Sequence, residues 1–183
     1  IAGNVSLARA VQNTATLTGG NTNATAIIGH GNELTANVTE ISGAVSLTAL
    51  NGLTLTAGTA ESDAAIGFHN PAGGSTGNFQ CISSGVTVDN PVAGGISLFG
   101  GTTSNAVIGY YNDTIIGGAG LNVSIASIAV TSAANLPLLL QANADHAVIG
   151  TLASQGTAQS RVAIDVGSVQ MIGSTAAGAA RIV

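Results

Sequence analysis

Apolar and small polar residues alternate along the chain in short bursts. Val45-Ser46-Leu47-Thr48, Leu53-Thr54-Leu55-Thr56, Val86-Thr87-Val88-Asp89, Ile96-Ser97-Leu98 and Val123-Ser124-Ile125 all repeat with period two. Successive side chains of a strand point to opposite faces, so each burst predicts a short strand with one apolar face turned inward. Gly, Asn, Asp and Ser cluster between the bursts and supply the positive-φ positions and Asx turns that sharp corners need. No convincing helix of ten or more residues is readable. Positions 126–134 tolerate a helix, but their Ile-Ala-Val-Thr centre is largely β-branched, so a strand is expected there too.

The bursts themselves recur. A four-residue signature reads Ala26-Ile27-Ile28-Gly29, Ala64-Ala65-Ile66-Gly67, Ala106-Val107-Ile108-Gly109 and Ala147-Val148-Ile149-Gly150, and a fifth copy, Ala180-Arg181-Ile182-Val183, departs at the glycine. Its isoleucines lie 38, 42, 41 and 33 positions apart. A small polar loop precedes each of the first four copies, and an alternating strand precedes each loop, at Ala15–Thr18, Leu53–Thr56, Ile96–Phe99 and 138–141. Self-similarity at a fixed period decides the architecture. The pattern predicts an all-β parallel β-solenoid, one domain over 1–183, with repeats ending near 29, 67, 109, 150 and 183. Short strands and frequent corners suggest two coils of about 20 residues per repeat, hence about nine coils and a rod on the order of 40 Å at the spacing of paired strands. On that reading Ile28, Ile66, Ile108 and Ile149 stack on counterparts two coils away, and Gly29, Gly67, Gly109 and Gly150 form corners. An immunoglobulin-like sandwich would not repeat one tetrapeptide four times, and a propeller blade would carry an aromatic and Asp signature absent here.

Composition narrows the core. Hydrophobic residues make up 45% of the chain, yet Trp is absent and only three Phe and two Tyr occur. A core without aromatics is thin, as the channel inside a solenoid coil is. High hydrophobicity with little net charge is the reverse of a disordered composition, so order is expected. No apolar run approaches the roughly 18 residues of a spanning helix. Charged residues are 6% of the chain, with three Arg and no Lys. No basic patch can form, which argues against binding nucleic acid through its phosphates. The single cysteine, Cys81, cannot form an internal disulfide and reads as a free thiol in the aliphatic core, an intermolecular bridge being the alternative. With no initiator Met and no signal-like leader, the chain reads as a processed mature protein or a fragment.

At the level of phrases, Ala26-Ile27-Ile28-Gly29-His30-Gly31-Asn32, followed by Gly43-Ala44-Val45-Ser46-Leu47-Thr48-Ala49 and Leu53-Thr54-Leu55-Thr56-Ala57-Gly58, resembles the large repetitive exoproteins of the filamentous-haemagglutinin type. The close likeness covers 26–58 and, more loosely, 64–69 and 96–110. It implies a right-handed parallel β-helix, export to the cell surface, and a role in adhesion or fibre building. Phe68, Tyr110 and Thr151 stand in later copies where the first has His30, so a shared role for that histidine is not implied.

Little in the chain reads as reactive chemistry. His30, His69 and His146 lie about one or two repeats apart, too far for one ion whose ligand nitrogens sit near ~2.1 Å, and read as solvated corner residues; no metal site and no cofactor are expected. Glu61 and Asp63 are the only acids within three residues of each other and read as solvated turn residues, not as the paired carboxyls of a glycosidase. No nucleophile–base set or phosphate loop is visible, so no catalytic residue is assigned and an enzyme is not expected. Sequons at Asn4, Asn23, Asn37, Asn112 and Asn122 carry little weight in a chain so rich in Asn, Ser and Thr. Thr14-Thr16-Thr18 and Thr54-Thr56 resemble the ladders of ice-binding solenoids, but the matching strands read Ile96-Ser97-Leu98 and Leu138-Leu139-Leu140.

The leading expectation is a structural subunit or segment of an extracellular filament or sheath whose partners are further copies of itself. Ile1, Ile182 and Val183 stand at apolar ends without a polar cap, and an uncapped solenoid end is an open sheet edge that stacks head to tail. The alternative is a stalk or binding module of a large secreted adhesin that touches carbohydrate or a host surface.

Overall fold

A computed structural model describes residues 3–11, 14–22, 24–31, 40–69, 79–112, 121–153 and 157–183. These form fifteen strands that follow one another in threes. The first coil holds β1 (Val5–Val11), β2 (Ala15–Thr18) and β3 (Ala26–Gly31). The second holds β4 (Glu40–Ala49), β5 (Leu53–Thr56) and β6 (Ala64–His69). The third holds β7 (Phe79–Asn90), β8 (Ile96–Phe99) and β9 (Ala106–Asn112). The fourth holds β10 (Leu121–Ser132), β11 (Pro137–Gln141) and β12 (Ala147–Ala153), and the fifth β13 (Thr157–Asp165), β14 (Ser168–Ile172) and β15 (Ala180–Ile182). Every third strand pairs in parallel, giving three five-stranded sheets: β1-β4-β7-β10-β13, β2-β5-β8-β11-β14 and β3-β6-β9-β12-β15. The all-β parallel solenoid expected from the sequence is the observed fold.

The coil is larger than the sequence suggested. Ile28 pairs directly with Ile66, Ile66 with Ile108, Ile108 with Ile149 and Ile149 with Ile182, so the isoleucines stack on the next coil and not two coils away. One repeat is therefore one coil. Five coils at the ~4.8 Å spacing of paired strands give a stack of about 24 Å, not 40 Å. The physical reason is that Val45–Thr48 and Leu53–Thr56 are successive sides of the same coil, in the first and second sheets, although their alternation makes them look like equivalent sides of two coils.

Register turns the repeat into ladders. Val5, Val45, Val86, Ile128 and Val162 lie in line on the inner face of the first sheet, beside Leu7, Leu47, Val88, Val130 and Ile164. The second sheet aligns Ala15, Leu53, Ile96, Leu138 and Val169, and next to them Leu17, Leu55, Leu98, Leu140 and Met171. In the middle coils these side chains are buried, and with Ile66, Ile108 and Ile149 they form one continuous aliphatic core. The outer face of the third sheet carries a second, small stripe in which Ala65, Val107 and Val148 are also buried. Cross-coil contact between like side chains is the unit of stabilisation in such a stack.

The signature glycines are not corners. They sit inside β3, β6, β9 and β12, which continue past them, and bend the strand there with φ of 143, 129, 121 and 137°. Each also lies against the next coil: a Cβ on Gly109 would stand 2.1 Å from the Gly150 carbonyl oxygen, and one on Gly67 2.3 Å from that of Gly109. Both the dihedral and the close approach require glycine.

Candidate assembly surface

The polar loop ahead of each signature is the seam between the second and third sheets. Ser62 and Ser104, both fully buried, hold one ladder of bonds there. The Ala24 amide donates to Ser62 Oγ at 3.1 Å and the Ser62 amide to Ser104 Oγ at 2.8 Å. One residue along, a second ladder runs the other way. The Asn105 amide donates to Asp63 Oδ1 at 2.6 Å, the His146 amide to Asn105 Oδ1 at 3.2 Å, and the Ala179 amide to His146 Nδ1 at 3.1 Å. The Thr59 hydroxyl donates to the Asn21 carbonyl and the Thr103 hydroxyl to the Thr59 carbonyl, stitching the loop tips. Corner amides that the sheets cannot pair thus find side-chain acceptors on the neighbouring coil.

Several side chains singled out in the sequence have other surroundings than expected. Asp63 is half-buried and is a rung of the seam, while Glu61 stands exposed at φ 47°. His30 is no solvated corner residue. It is buried, stacks on Phe68 with ring centroids 5.6 Å apart, and its Nε2 lies 2.8 Å from the Gly3 carbonyl oxygen. His30, Phe68, Tyr110 and Thr151 form one buried ladder just past the glycines. His146 belongs to the seam on the other side of the signature, so His30 and His146 do not converge; the side chain of His69 lies outside the described residues. Among the described residues no group of three or more His, Cys, Asp or Glu comes together.

Cys81 is buried in the first sheet's core, and burial pushes its thiol up to about 12. Such a thiol is kept from solvent and in its protonated form, the surroundings of a free core cysteine and not those of an exposed bridging one. Asn4 is exposed and accepts the Ala44 amide, Asn122 is exposed, and Asn23 and Asn37 lie outside the described residues. Thr16 and Thr54 pair side by side, as do Thr18 and Thr56, but their ladders continue through Ser97, Leu139 and Gln170 and through Phe99, Gln141 and Ile172.

The two outer coils differ. In the first, Ala15 and Leu17 are 6% and 8% exposed. In the fifth, Val169 and Met171 occupy the same ladders at 47% exposure each, beside Ile172 and Val183 at 37% and 44%. Their neighbours one coil in, Leu138 and Leu140, are fully buried. Val162, Ile164 and Ile182 of the same outer coil are half-buried. Ile182 belongs to β15, and Ile1 lies outside the described residues. The fifth coil thus presents core-type side chains in core register, together with the outer edges of β13, β14 and β15. No described helix is long and apolar enough to cross a membrane.

Comparison with known protein families, with curated proteins and with solved structures gives no match.

Proposed function

We propose that this chain is a structural segment of an extracellular filament or sheath, extended by stacking one β-solenoid coil on another, with further copies of itself as partners. The observation that carries the reading is the fifth coil's run of core-type side chains in core register, a face that a further coil of this kind would cover. Val169 and Met171 stand where every interior coil buries its counterpart, and β13, β14 and β15 offer a parallel edge. Covering half-exposed Val and Met side chains contributes roughly 1 kcal/mol each, and an unpaired strand edge is itself a template for another strand. A head-to-tail contact between the edge of β13, β14 and β15 and that of β1, β2 and β3 does not close on itself and so grows a fibre. No residue is assigned a catalytic role.

A second reading, a stalk or binding module of a large secreted adhesin, rests on the resemblance of residues 26–58 to filamentous-haemagglutinin-type exoproteins. Polar outer ladders such as Ser6, Ser46 and Thr87 would then face carbohydrate or a host surface. Negative-stain microscopy and light scattering over a concentration series test the first reading. Filaments that disappear in Met171→Glu support it, because a carboxylate in the joint is desolvated without a partner. A native chain that stays monomeric at high concentration sinks it and leaves the adhesin reading.

A further inference from the structure

The second seam ladder ends on a residue unlike those before it. At Asp63 and Asn105 the acceptor is a carboxylate or amide oxygen, which accepts throughout the neutral range. At His146 it is a ring nitrogen, and that nitrogen has two neighbours: the Ala179 amide at 3.1 Å and Asp145 Oδ1 at 3.4 Å. One nitrogen cannot satisfy both. Accepting the Ala179 N–H needs the lone pair on Nδ1, with the ring proton on Nε2. In that state Nδ1 and the Asp145 carboxylate face each other as two acceptors. A proton on Nδ1 reverses the preference, because it donates to Asp145 and leaves nothing for the amide.

We propose that His146 is an acid-released latch on the fifth coil. Neutral, it holds the amide that leads into β15. Protonated, it turns its Nδ1–H to Asp145, and β15 loses its entry tether. The bond exists only in the neutral ring, so it is present at higher pH and lost as the ring takes a proton. The groups around the ring favour this assignment. Asp145, next to it in the chain, brings a carboxylate against the ring. The preceding coil contributes uncharged Asn105, with Asp63 one coil further away. The following loop, 173–179, has no charged residue. Arg181 lies beside Val148 on the outer ladder of the third sheet, and Arg161 is exposed on the first sheet. The strand is also one that a single tether can move. β15 has three residues and pairs only with β12. Besides that pairing and the packing of Ala180 and Ile182 on the core, it is tied by the bonds from the Ala147 amide to the Ala179 carbonyl, the Val183 amide to the Ile149 carbonyl and the Thr151 amide to the Val183 carbonyl, at 3.2, 3.0 and 3.2 Å, and by the Ser160 hydroxyl, which donates to the Val183 carbonyl at 3.5 Å. His146 itself is reachable by solvent, its side chain being 15% exposed.

Amide hydrogen exchange followed by NMR on the whole chain tests the latch, at about pH 7.5 and about pH 5, the range in which imidazole side chains change charge. Relative to intrinsic rates, protection of the Ala179 amide should fall roughly five- to ten-fold on acidification, the worth of about one hydrogen bond. The His146 amide, bonded to Asn105, should keep its protection. In His146→Asn, which copies the Asn105 rung, Ala179 should be equally protected at both pH values. Nitrogen chemical shifts of the native ring should show the Nε2–H tautomer at pH 7.5, a readout that needs no variant. Unchanged Ala179 protection in the native chain, a full pH-dependent drop in His146→Asn, or an Nδ1–H tautomer at pH 7.5 would each overturn the proposal.

Discussion

Adding one methyl group at Gly109 tests whether a repeat is a single coil. Gly109 lies in the central coil, bent to φ 121°, with its Cα against the next coil. In Gly109→Ala the new carbon falls 2.1 Å from the Gly150 carbonyl oxygen and 2.7 Å from Ile128 Cδ1. The Ile128 methyl can rotate aside, but the carbonyl is backbone in a paired strand and cannot move without breaking its ladder. Holding a non-glycine residue at that dihedral costs about 1–3 kcal/mol. Shifting the strand by about an ångström forfeits one or two backbone bonds at about 1 kcal/mol each. The total of about 2–5 kcal/mol is a large part of the ~5–15 kcal/mol that holds a domain folded. Gly173→Ala is the control, because nothing lies within 4 Å of its added carbon, and it should change stability by less than about 0.5 kcal/mol. Urea unfolding followed by far-UV circular dichroism reads both. If Gly109→Ala unfolds within 0.5 kcal/mol of the native chain, the coils do not meet at the signature and the register is wrong.

Three further outcomes follow from the interior. Asn90 is fully buried, and neither amide atom has a hydrogen-bond partner among the described residues, while its partner one coil later is the smaller Ser132. Asn90→Ala removes an unsatisfied amide worth about 1–3 kcal/mol and leaves a cavity costing about 1 kcal/mol, so it should raise stability by up to about 2 kcal/mol, and a loss of stability in urea unfolding would contradict this. Asn105→Ala removes the acceptor of the His146 amide and the side-chain amide that donates to Asp63 Oδ1 at 3.4 Å, and should cost about 1–3 kcal/mol in the same assay; Asn105→Asp, which sets a second carboxylate against Asp63, should cost no less. Cys81 stays protonated in the fold until about 12, against 9.0 when free. The unfolded chain therefore loses its thiol proton first. Stability is fully present below pH 9.0 and falls above it by up to about 1.4 kcal/mol per pH unit, a slope that Cys81→Ala should remove.

Strands and ladders were legible because they rest on side-chain alternation, which a parallel stack repeats at fixed register. Ala15–Thr18, Leu53–Thr56 and Ile96–Phe99 coincide with β2, β5 and β8 residue for residue. The coil length was not legible, for a physical reason. The third side of each coil does not alternate in hydrophobicity, since Ala65, Val107 and Val148 are buried on the outer face as Ile66, Ile108 and Ile149 are on the inner. Its strands read as punctuation, and the glycine that bends them read as a corner. The seam was hidden differently. Asp63, Asn105 and His146 share no residue type, only an acceptor atom in the same place, so a search for repeated letters passes over them. Ser62 and Ser104 are a repeated letter, but serine in a polar loop reads as solvated until its burial is known.

Two kinds of order meet at the fifth coil. The apolar ladders repeat size and shape, and they reach that coil unbroken in Val162, Ile164, Val169, Met171 and Ile182. The seam repeats acceptors, and it stops at alanine on both sides: Ala24 donates to Ser62 and Ala179 to His146, and neither side chain can receive a bond from a coil beyond. A coil stacked on the fifth one would therefore be aligned by strand pairing and aliphatic contact, with no polar rung at the corner to fix it. Such a joint is held by the hydrophobic effect and by edge pairing, and is sensitive to whatever orders β15. The latch at His146 sits at that strand. The feature that bears on assembly is thus one the repeat pattern alone does not mark, the place where one ladder continues and the other ends.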